Sequence, residues 1–107
     1  MQKLKTLEEV SNERNIPQKT LRRWATQGMK SIKAGSIRFT DEWVDEYIEN
    51  MANEFRAKVR RDYQSEVITE GHFQEMMIFI DEIVNEGDDL SVIKMLHVAK
   101  MTYIIMK

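Results

Sequence analysis

From Thr6 to Asn50 the chain reads TLEEVSNERNIPQKTLRRWATQGMKSIKAGSIRFTDEWVDEYIEN. Thr6 followed three residues later by Glu9 is a capping-box pair, in which each side chain satisfies a backbone donor of the other. A first helix therefore starts here, with Leu7, Val10 and Leu4 expected on its inner side. It should end near Asn15, a residue that tolerates a left-handed backbone, and Pro17 suits the opening of a second helix because it lacks only an N–H that would be unpaired there. In that second helix Leu21, Trp24 and Ala25 share one face at helical spacing. Gln18, Lys19, Arg22 and Arg23 are left pointing outward. Gly28 stops the helix. Ser31-Ile32-Lys33 and Ile37-Arg38-Phe39 then read as two short strands around Ala34-Gly35-Ser36, a loop with glycine where a positive φ is needed.

Helix, tight turn, basic helix, small hairpin and acidic helix form a pattern that resembles the winged helix-turn-helix of the MerR superfamily, especially its small excisionase-like branch from phages and mobile elements. The matching positions are Thr6, Glu8, Glu9, Ile16, Thr20, Leu21, Arg23, Trp24, Gly28, Gly35, Arg38, Phe39, Trp43 and Ile48. Pro17 stands where the family commonly has a capping Ser, and the hairpin carries fewer basic residues than in many relatives. The resemblance covers about the first half of the chain. It implies that Gln18, Lys19, Thr20, Arg22 and Arg23 approach the major groove of DNA, and that Lys33, Ser36 and Arg38 on the wing touch phosphate or the neighbouring minor groove. Arg can make bidentate bonds to guanine, while Gln or Thr can reach a base edge or a phosphate. The competing reading makes Arg22 and Arg23 ordinary surface cations bridged to Glu8, Glu9 or the acidic helix.

The charge distribution points the same way. Although the 107-residue chain has a net charge of -2, residues 1–40 carry nine Lys/Arg against three Asp/Glu, whereas residues 41–107 carry seven against fifteen. The first stretch is thus +6 and the second -8, a polarity that suits a nucleic-acid face at one end only. The plainer account is that the acidic half keeps an apolar helical segment in solution.

Beyond Asp41, Trp43, Val44, Tyr47, Ile48, Met51, Phe55 and Val59 recur at threes and fours, so one helix should run well past the winged segment; Trp43 falls on its inward stripe, as Trp24 does on that of the second helix. Arg56, Lys58, Arg60 and Arg61 form a basic patch near its far end, read as a solvated surface with internal ion pairs in preference to a second nucleic-acid contact. His72–Glu86 and Leu90–Met106, separated by Gly87 and started on the second arm by Asp88 or Asp89, read as a helical hairpin. Its two arms are more apolar than they can hide against each other, and five of the eight Met lie between Met76 and Met106. Either the hairpin packs on the long helix or another chain completes it. Met76, Phe79, Ile80, Ile83, Met95, Met101 and Ile105 are the residues expected to meet such a partner.

The expected architecture is therefore mainly α: a winged helix-turn-helix with a small β-hairpin wing over residues 1–52, then a connecting helix and a C-terminal helical hairpin over 53–107 that serves self-association or partner binding. No catalytic constellation, cofactor motif or metal site is expected; His72 and His97 stand on different arms without Cys, and the four glycines are isolated. The lack of Cys and of a hydrophobic leader suits a cytoplasmic protein, and Met76–Ile80 is too short to span a bilayer. The functional expectation is a non-enzymatic DNA-binding accessory protein of a phage or mobile element, such as an excisionase-like factor, a regulator or a site-recognition subunit. Duplex is the expected DNA form, with single strand as the other. The alternative is a small subunit whose residues 66–107 dock on a polymerase, primase, recombinase or terminase and help it engage its template.

Overall fold

The Thr6–Glu9 capping box forms. In the computed structural model, which describes residues 3–33 and 35–106, the Glu9 amide donates to Thr6 Oγ1 at 3.1 Å and the Thr6 amide donates to Glu9 Oε1 at 3.2 Å. Both orphan donors are satisfied, and α1 runs Leu7–Arg14. It ends on Asn15, which takes φ 54° and ψ 44°, the left-handed conformation that Asn adopts at low cost. Pro17 stands just before α2 (Gln18–Thr26), and its carbonyl accepts from the amides of Thr20 and Leu21. The protein is mainly helical, with α3 (Asp41–Gln64), α4 (Glu70–Asn85) and α5 (Asp89–Met106) following, and it carries one small antiparallel sheet.

That sheet differs from the expected hairpin. Strand β1 (Lys5–Thr6) pairs with β2 (Arg38–Phe39), Lys5 opposite Phe39 and Thr6 opposite Arg38. Residues 31–33 contribute only an isolated bridge, in which the Ile32 and Arg38 amides donate to each other's carbonyls at 2.8 and 2.9 Å. The reason is burial. Phe39 is fully buried and must be held in register, whereas Ile32 is 41% exposed and has no apolar surface to gain from a longer ladder. Gly35 takes φ +85°, a left-handed position in the loop as expected; Ala34 of the same loop lies outside the described residues.

The chain divides into two compact units, residues 1–48 and 49–107. In the first, Val10, Ile16, Leu21, Trp24, Phe39 and Val44 are buried to 2% exposure or less. Trp24 packs on Tyr47 with ring centroids 5.3 Å apart. Leu4, expected on the inner side of α1, is instead exposed, and Trp43 is only half-buried because Val44 and Ile48 take the inward stripe of α3. Thr40 caps α3, its Oγ1 accepting from the Trp43 amide. Polar pairs lock the first unit's elements. Lys5 Nζ reaches Asp41 at 2.6 Å and Glu13 at 2.5 Å, while Arg14 bonds Asp45 and the Asp41 carbonyl.

The second unit is built from the later turns of α3 with α4 and α5. Ala52, Phe55 and Val59 on α3, Ile80 and Ile83 on α4, and Val92, Ile93, Leu96, Ala99 and Tyr103 on α5 are buried. The helical hairpin starts earlier than expected, at Glu70, because Thr69 caps α4 by accepting from the His72 amide at 3.2 Å. Gly87 takes φ +91° between the arms, and Asp88 Oδ1 accepts from the Ser91 amide to start α5. Near the open end, the His72 and Tyr103 rings meet edge-on at 5.8 Å, so α4 and α5 form an antiparallel pair that is still in contact there.

Candidate nucleic-acid interface

Leu21, Trp24 and Ala25 are buried, so helical periodicity places the rest of α2 in solvent: Gln18, Lys19, Arg22 and Arg23 are exposed and Thr20 is half-buried. A concavity of about 470 Å³ opens between the start of α1, the first turns of α2 and the loop after residue 34. Its walls are Thr6, Leu7, Glu8, Gln18, Arg22, Gly35, Ser36 and Ile37. Three residues singled out from sequence, Gln18, Arg22 and Ser36, thus meet around one site. Lys19, Thr20, Arg23, Lys33 and Arg38 do not line it; all but Thr20 are exposed. Glu8, which the competing reading made an ion-pair partner of Arg22 or Arg23, also stands in the wall.

The electrostatics separate two classes of cation in this unit. Lys5, Arg14 and Lys30 are ion-paired, with Asp41 and Glu13, with Asp45 and Asp41, and with Glu46 respectively. Lys5 is held above its ordinary pKa by its hydrogen bonds to Asp41 and then Glu13, and Asp41 is held below the usual carboxylate range first by its bond to Lys5. Glu9 is also lowered, by the Thr6 backbone and side-chain hydrogen bonds of the capping box. Among the described residues, no ion pair engages Lys19, Arg22, Arg23, Lys33 or Arg38. Glu8 and Glu9 do not bridge Arg22 or Arg23, so the surface-pair reading of those arginines finds no partner there.

Elsewhere the basic patch on α3 behaves as a solvated surface with ion pairs. Arg56 bonds Asp81 at 2.6 Å and Lys58 sits 3.7 Å from Asp62. Among the described residues no three His, Asp or Glu side chains gather as metal ligands. No helix among them is long and apolar enough to cross a membrane.

The residues expected to meet a partner separate into two sets. Phe79, Met95, Met101 and Ile105 are exposed and Met76 is half-buried, but Ile80 and Ile83 are core residues at 0% and 4% exposure. The correction follows from helix geometry. Phe73, Met76, Ile80 and Ile83 advance by threes and fours, so the face that turns toward α3 and α5 takes Ile80 and Ile83, and Phe79 lies on the neighbouring face. An apolar groove of about 410 Å³ runs between α4 and α5 on that side.

Comparison of the chain with protein-family models, with curated proteins and with solved structures finds no match.

Proposed function

We propose that the protein is a non-enzymatic DNA-binding accessory protein of a phage or mobile genetic element, with residues 1–48 acting as a winged helix-turn-helix of the MerR-like, excisionase-like kind. The supporting observation is the set of outward cations without carboxylate partners on α2 and the adjoining loop, beside the concavity that joins Gln18, Arg22 and Ser36. In this reading α2 enters the major groove. Arg22 and Gln18 face base edges, and Lys19 and Arg23 flank the groove's phosphates. The loop residues Lys33, Ser36 and Arg38 act as the wing and touch the backbone beside it. Lys5 and Arg14 stay with their carboxylates and hold the sheet and α1 against α3, so that the free cations are presented on a fixed frame.

The test is a salt series on duplex DNA with the Arg22→Ala/Arg23→Ala double variant. Because each phosphate neutralised releases counterions, binding should weaken and the slope of log K against log salt should flatten by about two contacts. Binding curves that superimpose on wild type would overturn the reading. A second reading, a small subunit that docks on a larger DNA-processing enzyme, draws on the exposed apolar residues of α4 and α5. It requires weak, nonselective DNA binding by the isolated chain, whereas the first requires sequence-selective duplex binding.

A further inference from the structure

The apolar groove of the second unit is walled by Met76 and Phe79 from α4 and by Met95, Val98 and Met106 from α5. Phe79 is 40% exposed, Met95 51%, Val98 62% and Met106 75%, a continuous strip that water covers at a cost. The charges on its two banks differ in sign. Helix α4 carries Glu70, Glu75, Asp81 and Glu82 and no Lys or Arg. Of these, Glu75 and Glu82 flank Phe79 at i−4 and i+3, whereas Asp81 turns to Arg56 of α3. On helix α5, Lys94 lies on the rim of the groove, while Lys100 lines a separate hollow with Met51, Glu54 and Phe55 of α3. Glu75, Glu82 and Lys94 are exposed, and among the described residues no ion pair engages them.

We propose that this groove is covered by the same groove of a second copy of the chain, as a two-fold dimer in which α4 of each copy lies over α5 of the other. Charge selects the arrangement. A two-fold axis running across the helices would set α4 on α4, facing Glu75 and Glu82 with their own copies. An axis running along the helices sets the acidic bank on the basic one and preserves height along the bundle. The connection between the helices is only Glu86–Asp88. Glu82 stands three residues before the end of α4 and Lys94 five after the start of α5, about 4.5 and 7.5 Å from the turn at a rise of 1.5 Å per residue. Lys94 therefore meets Glu82 of the partner subunit, and the relation repeats by symmetry. Met95 and Val98 fill the partner's groove beside that pair. The resulting core is a four-helix layer of the kind that buries such strips.

Light scattering on the full chain without DNA tests the arrangement independently of any DNA reading. Wild type should be a dimer. Lys94→Glu alone and Glu82→Lys alone each place like charges across the seam and should raise the dimer dissociation constant about tenfold or more. All three substituted chains should keep the wild-type helical circular dichroism, since both positions are exposed. The combined Lys94→Glu/Glu82→Lys chain should regain the dimer, because the pair is re-formed with its signs exchanged. A monomeric wild type, including one that a larger protein captures, overturns the proposal. So do single reversals that dimerise like wild type, or a combined variant that stays monomeric.

Discussion

The Tyr103 hydroxyl donates to Asp62 Oδ2 at 2.5 Å, joining the second half of α5 to the end of α3 within the same unit. Tyr103 is 3% exposed, and its ring meets Phe55 at 5.8 Å and His72 at 5.8 Å. Burial, then the hydrogen bond and charge of Asp62, push the phenol well above its ordinary pKa. One polar contact thus fixes where three helices meet.

Tyr103→Phe keeps the ring and removes the donor. Hydrogen bonds to charged groups contribute about 1.5–3 kcal/mol, so a loss of that order is expected in urea unfolding. The pH dependence has a definite sign. Since the folded pKa lies above the unfolded value near 10, the native state holds the proton more tightly. The contribution is complete below about pH 10 and declines as pH rises through the folded pKa. Wild type should lose stability on that alkaline limb, and the difference between it and Tyr103→Phe should shrink there.

Trp24 is the largest fully buried side chain of the first unit, packed on Tyr47. Trp24→Ala should cost about 3–5 kcal/mol through lost transfer energy and an uncollapsed cavity. A thermal midpoint equal to that of wild type would contradict the core placement.

At the acid end, Asp41 joins Lys5 and Arg14 to α3. Its folded pKa is depressed, so its contribution is present above the unfolded carboxylate pKa near 4 and is lost as pH falls through the folded value. Asp41→Asn should lower stability at neutral pH by about 0.5–1 kcal/mol, a figure held down by solvent screening of a carboxylate that is 41% exposed. Its unfolding free energy should converge on that of wild type once pH falls below the depressed folded pKa of Asp41.

Local chemistry made the caps, stops and first helices legible from sequence. The Thr6–Glu9 box, left-handed Asn15, the Leu21–Trp24–Ala25 stripe and Gly87 each act within a few residues, and all stand where the spacing placed them. Strand β1 was not legible, because two residues carry no alternation and its partner lies more than thirty positions away at Arg38–Phe39. The split between paired Lys5 and Arg14 and the unpaired cations of α2 was equally hidden, since Lys5–Asp41 and Arg14–Asp45 close over long sequence distances. For Ile80 and Ile83 the sequence supplied an apolar helix but no third helix against which to phase it. Phe55 and Val59 of α3 belong to the core that settles which face turns inward.

That phasing separates two substitutions that look alike in sequence. Phe79 and Ile83 are one turn apart on α4, yet Phe79 is 40% exposed and Ile83 only 4%. Ile83→Asp buries a carboxylate in an apolar core position, a change expected to cost more than about 4 kcal/mol and to unfold the second unit. Phe79→Asp puts the same charge at the water's edge, where the folded chain can solvate it. Its helical circular dichroism and thermal midpoint should stay near wild type, within the small shifts typical of surface substitutions. Self-association should fall in this variant all the same, because the charge sits in the apolar strip. Comparing melting curves with light scattering for the two variants checks the phasing. Ile83→Asp should fail in the first measurement and Phe79→Asp only in the second, and a Phe79→Asp chain that unfolds would place Phe79 in the core with its neighbour.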